Sequence, residues 1–258
     1  VAVGLDRDPG AIERAGIRFK EEIRKGRLHL FHAHFEEIVG PEEGVVWQYL
    51  NQRPRYGMFF DLGFSSDQIE DPARGLSFLR EGPLDMRLSP NQGESVAEVL
   101  GKISEKELAR ILWEYGEERH SRRIARALVE ARSGKSLPTT TTGLADLIRR
   151  AYPPMERHSR IHPATRSFQA LRIHVNRELE QLQSLLKYGI LNLSPGGVAA
   201  FLTFHSLEDR PVKQRFRELE KEDAWRVATK KAIEPSVEEV LANPRARSAK
   251  LRAIERQL

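Results

Sequence analysis

The sequence predicts an α/β fold with a doubly wound, largely parallel sheet interrupted by a helical insertion. Two observations predict the sheet. The apolar runs Val1-Ala2-Val3-Gly4-Leu5, Met58-Phe59-Phe60 and 198–204 are short, and they end in Asp6, in Asp61, and in His205 with Ser206, Glu208 and Asp209. An apolar run that opens into a polar loop reads as a buried parallel strand, and open α/β sheets put their ligands at the carboxyl ends of such strands. The segments between the early runs also carry apolar residues at helical spacing, which gives strand, helix, strand, helix, strand. A third observation predicts the insertion: 85–161 has frequent helical stripes and no strand pattern.

In chain order, Ile12, Ala15, Phe19 and Ile23 define a helix over 9–25, with Pro9 suited to its first turn and Gly26 to its exit. Residues 28–32 alternate like a strand, and 36–56 is helical or irregular. In the middle block, Ser104 and Glu107 form a capping box ahead of Leu108, Ile111, Leu112 and Tyr115. Ile124, Ala127, Leu128 and Ala131 repeat the stripe, and Leu144, Leu147 and Ile148 resume it after Pro138 and a threonine run. Leu171, Val175, Leu179, Leu182 and Leu186 line one long helix ending before Ser194-Pro195-Gly196-Gly197. A buried strand over 198–204, a helix over 212–225 and a last strand over 251–254 complete the chain. The expected domains are a discontinuous sheet domain, 1–84 with 170–258, and a helical insertion, 85–169. Because an acid-tipped edge strand usually follows a Gly-rich strand-turn-helix unit of about 30 residues, such a unit is expected ahead of Val1.

At 258 residues, 40% apolar and 31% charged, the chain can bury a substantial core and carries no apolar run of membrane-spanning length. No cysteine is present, which excludes disulfides and thiolate metal sites and fits a cytoplasmic location. The net charge of +5 suits a polyanionic partner.

Asp6, at the tip of the first strand, suits a carboxylate that accepts from nucleoside ribose hydroxyls, while Asp8 suits a cap for the helix begun by Pro9. Phe35 follows the second strand, where it serves either as a ring for a purine or as an ordinary core residue. His32 and His34 have no third ligand in view, so no metal is expected. Asp61 is the strongest position: Gly63 permits close approach of a ligand, the carboxylate accepts from an amine, and a mere turn needs no acid there. The cluster His205-Ser206-Leu207-Glu208-Asp209 lacks the Gly-x-Ser-x-Gly elbow of a hydrolase and reads as a site wall. Basic residues recur at Arg119, Arg122, Arg123 and Arg126, and again at Arg245, Arg247, Lys250, Arg252 and Arg256. The second set, opened by Asn243-Pro244 and opposed only by Glu255, suits phosphate contacts better.

Seven blocks carry a resemblance that covers nearly the whole chain. They are Asp6-Arg7-Asp8-Pro9, Asp61-Leu62-Gly63-Phe64-Ser65-Ser66, Gly82-Pro83-Leu84-Asp85-Met86-Arg87, Tyr115-Gly116-Glu117-Glu118-Arg119, His162-Pro163-Ala164-Thr165-Arg166-Ser167-Phe168-Gln169-Ala170-Leu171-Arg172, Phe204-His205-Ser206-Leu207-Glu208-Asp209-Arg210 and Asn243-Pro244-Arg245-Ala246-Arg247-Ser248-Ala249-Lys250-Leu251-Arg252. In this order they closely resemble the bacterial ribosomal RNA small subunit methyltransferase H family, also called RsmH or MraW. The resemblance implies a class I S-adenosylmethionine (SAM) methyltransferase, Rossmann-like, with a helical domain inserted in its sheet. It implies methylation of the N4 amine of one cytidine in small-subunit (16S) ribosomal RNA. By position, Asp6 would bind the cofactor ribose, Phe35 and Asp61 would line the pocket, and Gln68 would complete it. The family's Gly-Gly-His loop ahead of the Asp6 strand is not in this sequence, and Asp67 stands where the family carries proline.

The implied chemistry agrees with the residues. The cytosine amine must lose a proton as its delocalised lone pair attacks carbon, so an acceptor is needed beside it; Asp61 and His205 are the candidates. An unpaired, splayed-out base is the expected substrate, with Arg245, Arg247, Lys250 and Arg252 contacting RNA. The partner is 16S ribosomal RNA or the small ribosomal subunit, with no membrane, and the choice between monomer and homodimer stays open. The alternative is a noncatalytic RNA-binding or ribosome-assembly factor on the same scaffold, which SAM titration would separate. A nicotinamide-dependent oxidoreductase rests on the acid-tipped strand alone.

Overall fold

The computed structural model describes residues 1–38 and 44–258. In chain order the elements are β1 (Ala2–Asp6), α1 (Pro9–Arg18), α2 (Lys20–Arg24), β2 (Leu28–His32), α3 (Val45–Asn51), β3 (Gly57–Asp61), α4 (Ser66–Glu70), α5 (Val96–Lys102), α6 (Glu105–Gly116), α7 (Ser121–Ser133), α8 (Thr141–Ala151), α9 (Ala164–Val175), α10 (Glu178–Ser184), β4 (Val198–Thr203), α11 (Ser206–Leu219), β5 (Trp225–Val227), α12 (Val237–Ala242) and β6 (Lys250–Arg256). Of the expected helical or irregular segment 36–56, residues 39–43 lie outside the described residues, and α3 follows them. The chain divides into two compact units, Val1–Gly63 with Leu179–Leu258, and Phe64–Glu178. Among the described residues no helix is long and apolar enough to cross a membrane.

The first unit holds every strand. β1 pairs in parallel with β2, Asp6 lying opposite His32, and β3 pairs in parallel with β4, Asp61 lying opposite Leu202. The strand order of the larger sheet is β3-β4-β6-β5, and β6 runs antiparallel to both of its neighbours. Phe60 of β3, Phe201 of β4 and Phe216 of α11 stack in sequence, with ring centroids 4.6 and 5.7 Å apart, and so join sheet to helix. Burying each such ring contributes about 1.5–3 kcal/mol. At the front, Asp8 accepts from the amide of Gly10 at 3.0 Å and caps α1, as the sequence suggests, but the helix expected over 9–25 breaks at Phe19 into α1 and α2. The helix expected over 212–225 also ends early. α11 stops at Leu219, and buried Trp225 instead starts the short strand β5 on the edge of β6.

The second unit is helical. Leu108, Ile111 and Leu112 of α6, Ile124 and Leu128 of α7, Leu144 and Ile148 of α8, and Phe168 and Leu171 of α9 form its core. α6 meets α9 at Gly116, where a Cβ would stand 2.6 Å from the carbonyl oxygen of Arg166. The capping box expected at Ser104 is only half made: the Ser104 hydroxyl accepts from the Glu107 amide at 3.2 Å, but the Glu107 carboxylate turns to Arg110 at 2.9 Å. The long helix expected through Leu171 and Leu186 is broken. Asn176 caps α9, its amide still on the carbonyl of Arg172, while its side chain donates to the carbonyl of Met86 and accepts from the amide of Leu88, both at 2.7 Å; Arg177 then takes a left-handed φ of +50°. The segment ahead of α5 belongs to this unit rather than to the sheet, because Leu76, Phe78 and Leu84 pack on the helical core.

Candidate functional site

The strand ends of the first unit carry the candidate site. At the end of β1, one carboxylate oxygen of Asp6 accepts from the amide of Asp8 at 2.8 Å. At the end of β3, one oxygen of Asp61 accepts from the amide of Gly63 at 3.0 Å. Each acid is therefore held in place by the backbone two residues on, a short turn that Asp forms readily. Among the described residues the second oxygen of each carboxylate accepts no hydrogen bond. An anchored carboxylate with one open oxygen is an acceptor for a ligand hydroxyl or amine. Burial raises the Asp6 carboxyl above its ordinary value, against the opposing pull of the Asp8 amide and of Arg7 and Arg14.

The loop after β2 is tied to both acids. The amide of Ala33 donates to the carbonyl of Asp6 at 2.9 Å. The ring of Phe35 meets Phe60, the neighbour of Asp61, edge to face at 6.1 Å. Half-buried Phe35 packs on the core, the ordinary role the sequence allows. His32 is exposed and its Nε2 lies 3.1 Å from the carbonyl of Arg7, a bond that locks the tip of β2 to the loop after β1.

β3 and β4 close on one another just beyond their last residues. A Cβ at Gly63 would fall 2.5 Å from the ring of Phe204, so only glycine lets the loop after β3 pass this side chain. Gly63 was expected to admit a ligand, whereas the packing of Phe204 against it has no signal beyond the place of Phe204 at the end of an apolar run and the head of the sixth block. Behind it, one oxygen of buried Glu208 accepts from the amide of Phe204 at 2.8 Å, and the other lies 3.2 Å from Nε2 of His205. The His205 imidazole is oriented by a carboxylate, the arrangement that fixes a histidine tautomer.

Two expected site residues have other neighbours. Gln68 belongs to the helical unit, where its side-chain oxygen accepts from the amide of Ser65 at 2.9 Å and completes the capping box of α4. Arg252, expected to contact RNA, is a correction: it is 8% exposed, and its guanidinium donates to both oxygens of Asp209, at 2.7 and 3.1 Å. Its position on β6 aims it at the first turn of α11, and the pair lies 43 residues apart in sequence, beyond any local signal. Of its neighbours, Arg245 and Arg247 are exposed, and Lys250 is half-buried, 3.9 Å from Glu234.

Residues 1–257 match the MraW methylase family. A ribosomal RNA small subunit methyltransferase H from Synechococcus sp. is 47% identical over 256 residues, which cover 98% of this chain and 78% of that protein. Proteins of the same name from Nitrosococcus oceani and Persephonella marina are 44% and 42% identical, covering 99% and 98% of this chain and 82% and 84% of their own lengths. Parallel strands tipped by anchored acids and a match over nearly the whole length agree: the chain belongs to the MraW methylase family, and it is a class I methyltransferase that takes its methyl group from S-adenosylmethionine.

Proposed function

We propose that this enzyme methylates small-subunit ribosomal RNA in the cytoplasm, on the N4 amine of an unpaired cytidine. The observation that supports the reading best is the pair of anchored acids, Asp6 and Asp61, each with one open oxygen. The residues present fit a nucleoside cofactor. Asp6 would accept from ribose hydroxyls and the Phe35 ring would pack against the base, while Asp61, at the end of β3, would keep its open oxygen for the incoming amine. Bound S-adenosylmethionine supplies an electrophilic methyl carbon on a sulfonium, so the protein has to position an amine and receive its proton.

Two groups can receive that proton. Asp61 is the better placed, because its second oxygen has no protein partner, whereas the His205 ring is already engaged with Glu208. Gln68 reads as an indirect contributor, holding the first turn of α4 through its bond to Ser65. The helical unit and the exposed Arg245 and Arg247 supply RNA contacts.

The test is transfer of labelled methyl from S-adenosylmethionine to small-subunit ribosomal RNA, naked or in the particle, with Asp6→Asn and Asp61→Asn beside the wild type. Asp6→Asn should weaken cofactor binding in calorimetry. If Asp61→Asn keeps cofactor affinity and loses transfer, by the roughly 100- to 10,000-fold typical of a proton acceptor, Asp61 receives the proton. Wild-type transfer to other RNA but not to small-subunit RNA would overturn the substrate reading, and normal transfer by Asp61→Asn would remove that residue from the mechanism.

A further inference from the structure

Between α6 and the start of α7 the helical unit has an open hollow of about 910 Å³, remote in sequence from every strand end. Its lining is dominated by cations, among them Lys106, Arg119, Arg122, Arg123 and Arg126, and it carries one large aromatic residue, Trp113. Lys106 and Trp113 share a face of α6, seven residues or about 10 Å apart along the axis. Arg122, Arg123 and Arg126 face them from the first turns of α7.

The acids nearby leave most of this charge unopposed. Glu107 and Glu114 hold Arg110, and Glu105 stands 3.8 Å from Arg126. Glu156 pairs with His120 at 3.0 Å, and its carboxyl is lowered first by that bond and further by the charge of Arg119. Lys106, Arg122 and Arg123 are exposed and, among the described residues, make no ion pair. Trp113 is 59% exposed, whereas Trp225 is buried and Trp47 half-buried. An indole left open to water beside uncompensated cations has no folding rationale, since neither closes a core nor caps a helix.

The hollow is also preformed. Its corner is the turn between α6 and α7, where fully buried Glu118 accepts from the Tyr152 hydroxyl and from the amide of His120, the latter at 2.8 Å. Burial, reinforced by Glu118, pushes the Tyr152 hydroxyl well above its ordinary value, so it stays a donor and the turn stays fixed. A rigid basic channel with an exposed aromatic ring is how single strands are held: cations follow the phosphates, and a base stacks on the ring. A hollow of this size accommodates a nucleotide-sized group.

We propose that this hollow is a docking groove for a single-stranded segment of the RNA substrate, in which Lys106, Arg122 and Arg123 contact phosphates and Trp113 stacks on a base. The inference rests on the RNA reading above and places this grip on α6 and α7, in addition to the contacts of Arg245 and Arg247.

The experiment titrates the full chain with a short, labelled single-stranded oligoribonucleotide of mixed sequence at several salt concentrations. In parallel it measures SAM binding, thermal unfolding and methyl transfer to small-subunit RNA. For the double variant Arg122→Gln/Arg123→Gln, the slope of log affinity against log salt should fall by roughly 1.4, at about 0.7 per phosphate contact on single strands. Trp113→Ala should bind the probe about 5- to 150-fold more weakly, and Trp113→Phe should recover most of that loss. The probe should quench the fluorescence of the wild type and not that of Trp113→Phe. Cofactor affinity should stay at the wild-type value in all three, and none of them should unfold at a lower temperature than the wild type.

Unchanged probe affinity and slope in both the double variant and Trp113→Ala would overturn the groove. So would unchanged probe binding combined with weaker binding to the intact small subunit, because the hollow would then serve a protein surface. If wild-type protein transfers no methyl to small-subunit RNA yet these variants still lose probe affinity, the groove stands and the substrate reading alone fails.

Discussion

The chain has two arginine-rich stretches, and the fold uses them in opposite ways. In 250–256 the cations turn inward, while Arg245 and Arg247 ahead of them stay exposed. Arg252 forms a buried two-point pair with Asp209, and Arg256 donates to the carbonyls of Leu191 and Leu193 and lies over the Trp225 ring at 5.8 Å. In 119–126 the cations stay in water, around a hollow with an exposed tryptophan. The cause is the periodicity of the element that carries each set. A strand sends alternate side chains to opposite faces, so a run of basic residues on β6, packed against α11, must bury some of them and find them partners. The polar side of an amphipathic helix can carry several cations together without burying any. Charge density along a sequence therefore says little about whether the charge is available to a ligand.

Breaking the buried pair should give the largest effect. Arg252→Ala leaves Asp209 charged and unpaired in the interior, which should destabilise the protein by about 3–5 kcal/mol in urea unfolding. A loss below about 0.5 kcal/mol would place Arg252 with the solvated set. Arg256→Ala, which strands two carbonyls, should cost roughly 1–3 kcal/mol in the same measurement. Neither change should alter the salt dependence of RNA binding beyond what unfolding explains.

Removing the open cations should do the reverse. Arg122 and Arg123 sit in the first turn of α7, where the helix dipole favours negative charge and no acid is present. Arg122→Gln/Arg123→Gln should therefore leave stability unchanged or raise it by about 0.3–1 kcal/mol while weakening RNA binding. A clear loss of stability would show that these arginines hold the fold together.

The acids allow the same contrast to be sharpened by pH. Asp6 is anchored through one oxygen by the Asp8 amide, and burial raises its carboxyl above 3.8 in the folded protein. The folded state then favours the protonated form, so the stability that Asp6 contributes is fully present below pH 3.8 and is lost as pH rises through the raised value. Asp6→Asn should be flat across that window and, relative to wild type, slightly more stable above it, although it binds cofactor less well. The measurement is thermal unfolding as a function of pH, and identical profiles for the two proteins would remove Asp6 as the titrating group. This is the smallest of the expected effects.

Much of the site was legible in the sequence because its signals are local. Asp6 and Asp61 end apolar runs, Pro9 follows a capping Asp8, and Gly63 stands two residues beyond Asp61; each fixes its own turn through bonds to the next few residues. Phe204 gave little signal, because its role depends on a loop from another strand passing over it. The helix breaks at Phe19 and Asn176 were not legible either. The Asn176 side chain finds its partners at Met86 and Leu88, on a segment far away in sequence, and an apolar stripe runs straight through such a break.

By itself the sequence determined five of the strands, β1 to β4 and β6, the acids at the strand tips and the family, since these depend on periodicity, turn chemistry and motifs within a few residues. The tertiary structure alone decided that β6 runs antiparallel and that 64–84 packs with the helical unit. It also decided which arginines are partnered and which face water. These outcomes depend on contacts between residues distant in sequence, where burial makes an unpaired charge or amide costly and so selects one partner from many.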